Sequence, residues 1–403
     1  MIFVFYSLAA VSVFLGWKSL RGGVRYLEFF KQEINRPESK FTPFVSIIVP
    51  CRGLDAYLET NLSALLRQNF PHYEIVFVVD SESDEAVSVI EEVSRKGAKR
   101  AKAKLVVAGR ATNESQKIHN LRRAVLEVSN ESEVFVFVDS DARPNENWLR
   151  NLIAPLVDET VGAATGYRWF VSETGNFASE LRAVWNASIA SALGANGKSN
   201  FCWGGSTAIA RTRFENLNIR EKWRGVLSDD YAVTRAMQEA NLPIRFVPQC
   251  LTATVEDCNW RELLEFTTRQ MKITRVYAPH LWLASFVGSI LFSITFWSGV
   301  LILFFVSGWR FWLTLAFLTI IFALGAAKAH LRLKAVKLVL NDYAKQLKRS
   351  YFWQLTLWTI TPLLFFCNDL AALLSNEITW RGIRYRLKSE RETVIISGDT
   401  RSK

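Results

Sequence analysis

The segment VFVFVDSDARP, residues 134–144, ends an uninterrupted apolar run on two acids one residue apart, Asp139 and Asp141. Other acids have similar settings. Asp80 closes EIVFVVD, and the pair Asp229 and Asp230 stands in GVLSDDYAVTRAM, just ahead of a helical pattern. Carboxylates in an Asp-x-Asp arrangement supply hard oxygen donors. These suit Mg²⁺ or Mn²⁺, and such an ion neutralises the charge that builds on a departing sugar-nucleotide diphosphate. One such motif is a weak sign, because an aspartate at a strand end is commonly a turn-former or a helix cap. The repetition of the setting along one chain is the stronger signal.

These acids do chemistry only if the elements around them bring them together. Val134 to Val138 are all apolar, which reads as a strand buried on both faces of a parallel sheet. Its carboxyl end is where open α/β sheets bind their ligands. VSIIVP (45–50), EIVFVV (74–79), KLVVAG (104–109) and VFVFVD (134–139) are separated by amphipathic stretches such as EAVSVIEEVSRKG. This succession predicts an α/β domain with a mostly parallel sheet over residues 40–258. Less regular elements follow in AATGYRW (163–169), FCWGGSTAIAR (201–211) and IRFVP (244–248).

Outside that domain the composition points to a bilayer. Half of the 403 residues are hydrophobic, with 28 Phe and 14 Trp. The chain opens MIFVFYSLAAVSVFLGW and places Lys18, Arg21 and Arg25 directly after the apolar run. A cleavable signal carries its positive charge in front, so an uncleaved anchor over 1–20 is expected. A charge-free stretch of 26 residues (281–306) is long enough to cross a hydrocarbon core of about 30 Å, and a second span is read at 311–327. The loop from Lys328 to Ser350 gathers seven basic residues against the single acid Asp342, which by the positive-inside rule makes it cytoplasmic, with the catalytic domain on the same side. In a bacterial cell that membrane is the inner one. Residues 351–375 are interrupted by Pro362 and carry Asn368 and Asp369, so a bent or re-entrant segment is expected there, followed by a basic tail over 377–403. Residues 259–278 read as an amphipathic interfacial helix. The formal charge of +11 concentrates beside apolar stretches, in RKGAKRAKAK (95–104) and in the tail, which favours an anionic bilayer over nucleic acid as partner. Five scattered cysteines form no C-x-x-C pair, so neither a disulfide framework nor a zinc site is expected. Four Asn-x-Ser sequons fall in the domain placed inside, and none is expected to be glycosylated.

Taken in order, VSIIVPCRG, VVDSESDEA, QKIHNL (116–121), VFVFVDSDARP, GGSTAIAR (204–211), SDDYAVTRAM, RQMKITR (269–275) and ITWRGIRYRL (378–387) resemble the inverting GT-A glycosyltransferases of families 2 and 21. The ceramide glucosyltransferase branch is the most similar, and the resemblance spans nearly the whole chain. It implies transfer of a single hexose, glucose, from a UDP-sugar to a membrane lipid hydroxyl such as that of ceramide. Diacylglycerol, polyprenyl or hopanoid acceptors stay open, as does a processive polysaccharide synthase. It implies that Pro50, Asp80, Lys117, Asp139 and Asp141 hold the donor, with Asp141 and Asp139 as ligands of Mg²⁺ or Mn²⁺. Asp230 matches the general base that takes the acceptor's proton. Trp203, Gly204, Gly205 and Asp229 fall on the acceptor side. The family's last signature, Gln or Arg, two residues, then Arg-Trp, is here Arg269, Gln270, Met271, Lys272, Ile273, so the charge survives as lysine and the tryptophan is absent. Arg269, Gln270 and Lys272 are then expected near the acceptor or the leaving group.

Overall fold

The structure, a computed structural model, describes residues 2–97 and 100–398. Its central element is a seven-stranded sheet whose first four strands are the apolar runs of the sequence. These are β1 (Val45–Pro50), β2 (Tyr73–Val79), β3 (Lys102–Val107) and β4 (Val134–Phe137), parallel in the order β3-β2-β1-β4. Every residue of β2 and β4 is buried, as strands covered on both faces by crossover helices must be. Three more strands complete the sheet: β5 (Ala163–Val171), β6 (Thr207–Ala210) and β7 (Ile244–Val255), in the order β4-β6-β5-β7. β6 runs antiparallel to both β4 and β5. The fold is therefore mixed α/β with a mostly parallel sheet.

Register decides which residues share the functional edge. Pro50 lies opposite Val78 and Ile48 opposite Phe137. Counting on from those partners, Arg52 and Asp80 leave β1 and β2 at the same level, and Asp139 follows β4 level with Pro50. The third strand begins at Lys102 and ends at Val107, two residues earlier at each end than the run 104–109 suggests. Residues 98–99 of RKGAKRAKAK lie outside the described residues; the flanking helix Ala86–Gly97 and β3 account for most of the rest.

The chain divides into two units. The unit carrying the sheet comprises Glu33–Phe170, Ala192–Glu256 and the segment from Glu377 onward. That last segment, the basic tail of the sequence reading, forms a second sheet of β8 (Glu377–Trp380), β9 (Ile383–Ser389) and β10 (Glu392–Ser397), all antiparallel. β9 alternates strictly, with Ile383, Tyr385 and Leu387 buried and Arg384, Arg386 and Lys388 exposed, the period of a strand with one face on a core.

The other unit is helical. Three of its helices are long and apolar enough to cross a membrane: Ile2–Ile34, Pro279–Ile302 and Trp309–Lys337. The first runs on well past residue 20, through Lys18, Arg21 and Arg25. Trp309–Lys337 likewise continues as helix through Lys328, Arg332 and Lys334, residues the sequence reading placed in a loop. Lys328 Nζ donates to Ser19 Oγ at 2.8 Å, and Arg332 donates to Gln354 Oε1 at 3.1 Å. Between Tyr351–Thr359 and Thr361–Leu374 the chain bends by 56°, with Pro362 in the first turn after the break. Asn368 and Asp369 are buried there and partnered: Asn368 Oδ1 accepts from Thr268 Oγ1 at 2.9 Å, and Asp369 Oδ2 from Ser285 Oγ at 2.9 Å. Such partners make polar groups tolerable in an apolar unit. The helix Trp260–Tyr277 opens on a capping box, Asn259 with Glu262, and buries Leu263 and Met271 in a core shared with Trp185, Leu364 and Ala372.

Candidate active site

At the carboxyl edge of the parallel strands, seven acids meet four cations within the sheet-bearing unit. Lys117 is the hub. Ser115 caps the helix Gln116–Ala124, its Oγ accepting from Ile118 N at 3.2 Å. The same hydroxyl donates to the Leu227 carbonyl at 2.8 Å, and Ser115 N donates to Val226 O at 3.1 Å. This cap fixes the start of one helix against the segment that leads into the helix Asp229–Glu239. Lys117 Nζ consequently lies 2.8 Å from Asp139 Oδ1 and 2.9 Å from Asp229 Oδ1.

Arg168, on β5, supplies the second cation. Its guanidinium stands 3.3 Å from both Asp139 Oδ2 and Asp141 Oδ2. The Trp203 ring, itself buried, holds it in place, with the guanidinium carbon 4.9 Å from the ring centroid. Arg52 pairs with Asp80, and Arg381 pairs with Asp55. Asp55 also accepts from Ser140 Oγ at 2.6 Å, so it ties Arg381 to the segment between the two acids of Asp139-Ser140-Asp141. Asp84 accepts from Gly53 N at 2.9 Å and Ala86 N at 2.8 Å, closing the turn after β2. Asp230, half-buried, accepts on Oδ1 from Ser228 Oγ and from Tyr231 N at 2.8 Å.

The two glycines after Trp203 are required by close approach. A Cβ at Gly204 would stand 2.3 Å from Asp229 Oδ2 and 2.7 Å from Lys117 Nζ, and one at Gly205 would meet the Trp203 ring at 2.2 Å. Any side chain at 204 would therefore part the Lys117–Asp229 pair.

Burial and charge pull the carboxyls apart. Burial alone would raise Asp139, but Lys117 and Arg168 outweigh it and hold that carboxyl below the usual aspartate range. At Asp141 burial prevails over Arg168, and the carboxyl is raised. Asp80 is likewise raised by burial against the charge of Arg52. Asp229 is pushed up to about 6 by burial, offset only in part by Lys117 and reinforced by Asp230. An acid raised on folding binds its proton more tightly in the folded chain. Stability contributed by the protonated form is present below about pH 4, the unfolded value, and is lost as the pH rises to about 6. Asp229→Asn should therefore unfold at a temperature a few degrees above wild type at pH 7.5 and show no such advantage at pH 4. Thermal unfolding of the detergent-solubilised chain at both pH values measures this, and equal midpoints at pH 7.5 would refute it.

Nine of the residues singled out in the sequence lie in this unit around one edge: Asp80, Lys117, Asp139, Asp141, Trp203, Gly204, Gly205, Asp229 and Asp230, with Pro50 ending the adjacent β1. Arg269, Gln270 and Lys272 belong to the helical unit, on Trp260–Tyr277. Four partners were not singled out: Arg52, Asp55, Arg168 and Arg381. Arg168 had a signal, a lone charge inside the apolar strand AATGYRWFV, while Arg52 and Arg381 were quoted in motifs without a role.

The residues present fit a divalent cation in part. Asp139 and Asp141 offer oxygen donors, and Asp141 Oδ1 is buried with no hydrogen-bond partner among the described residues. No group of three or more His, Cys, Asp or Glu arranged to hold an ion occurs among the described residues. A Mg²⁺-type ion is commonly held by one or two carboxylates, with substrate phosphates and water completing its shell.

A family model described as "Glycosyl transferase family 21" matches residues 4–393. Among solved structures, similarity extends to the mannosyltransferase PcManGT from Pyrobaculum calidifontis in complex with GDP-Man and Mn²⁺, at 21% identity over 92% of this chain and 98% of that one, with a TM-score of 0.47. Glucosyl-3-phosphoglycerate synthase from Mycobacterium tuberculosis, in complex with Mn²⁺ and UDP-glucose, matches at 14% identity over 61% of this chain and 80% of that one, with a TM-score of 0.35.

Proposed function

The chain belongs to glycosyl transferase family 21 and transfers sugar from a nucleotide sugar; on that footing we propose that it moves one hexose, glucose, from UDP-glucose to the hydroxyl of a membrane lipid, ceramide, with inversion. The observation that carries the reading is the acidic edge itself, with Asp139, Asp141, Asp229 and Asp230 gathered around Lys117 and Arg168.

In this reading the diphosphate of the donor lies against Lys117 and Arg168. Asp80 is on the nucleoside side and Asp230 faces the acceptor. The acceptor oxygen attacks the anomeric carbon from the side opposite the diphosphate. As the new C–O bond forms, the bond from the anomeric carbon to the phosphate oxygen breaks, its electron pair leaves with UDP, and Asp230 takes the acceptor's proton. No covalent sugar–enzyme intermediate is needed, and the single displacement inverts the anomeric centre. Asp139 and Asp141 would hold Mg²⁺ or Mn²⁺, which when bound neutralises charge on the leaving diphosphate. Arg269, Gln270 and Lys272 serve the acceptor or the leaving group; lysine binds a diphosphate as a point charge, without the fork of arginine. The apolar helices of the same chain keep the enzyme at a bilayer, where a lipid hydroxyl is the concentrated acceptor. The basic residues from Lys328 to Arg349 favour a cytoplasmic active site, the side that holds the soluble donor.

A transfer assay tests this in detergent or liposomes, with labelled UDP-glucose and UDP-galactose, Mg²⁺ or Mn²⁺, and ceramide, diacylglycerol and polyprenyl and hopanoid lipids as acceptors. The expected product is a single-sugar ceramide, lost on adding EDTA. Product on another lipid would replace the acceptor, long saccharides would indicate a processive synthase, and undiminished turnover in EDTA would remove the metal from the proposal.

A further inference from the structure

The C-terminal sheet, though last in the chain, is built into the acidic edge. Its turn between β8 and β9 consists of Arg381 at φ 51° and Gly382 at φ 79°. A two-residue hairpin with both central residues at positive φ is the type that matches strand twist, and asparagine or aspartate followed by glycine is its usual sequence. Here an arginine takes the left-handed position, one that L side chains rarely adopt. A sparsely populated backbone conformation at a site is a reason to ask what its side chain does.

The surroundings answer. Arg381 donates through Nη1 to Asp55, and its carbonyl accepts from Arg52 Nε at 3.1 Å, while Arg52 pairs with Asp80. Through Asp55 and Ser140, the turn is two hydrogen bonds from the Asp139-Ser140-Asp141 segment. Four residues on, Tyr385 is buried and its hydroxyl accepts from Gln116 N at 3.2 Å, next to Lys117. Arg235 pairs with Glu390 at the far end of the sheet, and a Cβ on Gly225 would strike the Arg391 carbonyl at 2.6 Å, so the sheet is seated closely along its length. The Arg381 side chain nevertheless remains about a third exposed (31%). A guanidinium carries five N–H donors in a planar fork that matches phosphate oxygens, and the pair with Asp55 engages only part of it.

We propose that the C-terminal sheet is a wall of the donor site and that its Arg381 turn binds the diphosphate of the nucleotide sugar, opposite Lys117 and Arg168. This rests on the reading of the acidic edge as a nucleotide-sugar site. Asp55 holds the guanidinium at the acidic edge, and Arg381 offers its remaining donors to a diphosphate there. The sheet thus acts in binding the donor, and its loss raises the donor's KM while leaving the acceptor's unchanged.

UDP is the probe. Its affinity should be measured calorimetrically on the full chain in detergent for wild type, Arg381→Ala, Arg381→Lys and Arg386→Ala, the last removing an exposed cation of the same sheet. We expect a loss of at least tenfold for Arg381→Ala, partial recovery for Arg381→Lys and no more than a twofold change for Arg386→Ala. Hydrogen exchange on the unmutated chain gives a reading that no folding defect can imitate: UDP should slow exchange across 378–385 and leave 392–397 unchanged. A wild-type chain that binds no UDP overturns the donor-site reading and the inference together. Wild-type binding with Arg381→Ala equally tight, or with 378–385 unprotected, overturns the inference alone.

Discussion

Asp230→Asn is expected to lower kcat by about 10²–10⁴-fold, the range a positioned general base contributes, while leaving UDP binding within a few-fold of wild type. The amide keeps the shape of the carboxylate, and its oxygen still accepts from Ser228 Oγ and Tyr231 N, so the start of the helix Asp229–Glu239 survives the change. The change removes the negative charge and with it the ability to take a proton. The neighbouring acid makes the comparison informative. Asp229 is buried and bound to Lys117, whereas Asp230 is more open and bound only by local hydroxyl and amide donors in the contacts described above. Parallel turnover assays of the two asparagine variants, with UDP affinity measured on each, settle which acid is the base. Retention of a tenth or more of wild-type kcat by Asp230→Asn would dismiss it from that role.

The second large effect is expected at Lys117. Lys117→Met should destabilise the chain by about 3–5 kcal/mol, the cost of leaving a buried charge without its partner, and should abolish UDP binding. The reason is its double engagement. Its ammonium is held in the charged form by Asp139 and Asp229 against the cost of burial. Without it, Asp139 retains Arg168, but Asp229 is left buried beside Asp230 with no close cation among the pairs described here. Denaturant unfolding of the variant at pH 7.5, repeated at pH 5, would show the loss shrinking in acid as Asp229 takes a proton. Lys117→Arg restores the charge but crowds Gly204, so it should recover stability more than binding. Should Lys117→Met unfold at the wild-type denaturant concentration and bind UDP normally, the lysine is not the hub described here.

Much of this site was legible in the linear chain, and the part that was not has a common character. The acids Asp80, Asp139 and Asp141 announced themselves because an all-apolar strand that ends on a carboxylate is a local pattern, visible in six or seven residues. The Gly204-Gly205 pair was visible for the same reason, while the Ser115 cap came only from the structure. Of the acids' cations only Lys117, in QKIHNL, was. Arg168 belongs to a strand that reads as apolar core, and Arg381 stands in a segment that composition marks as a basic tail.

The sequence by itself determined the elements: four parallel strands, the acids at their carboxyl ends, the apolar helices on either side of the sheet-bearing segments, and the family to which they belong. Periodicity and hydrophobic length act over a few turns or pleats, so they can be read without knowing what packs on what. Tertiary structure alone decided the pairing of charges. Arg381 meets Asp55 across 326 residues of chain, and Arg168 meets Asp139 across 29, because sheet order and register deliver them to one edge. No local rule links residues so far apart; their attraction becomes strong only when folding has removed the water between them.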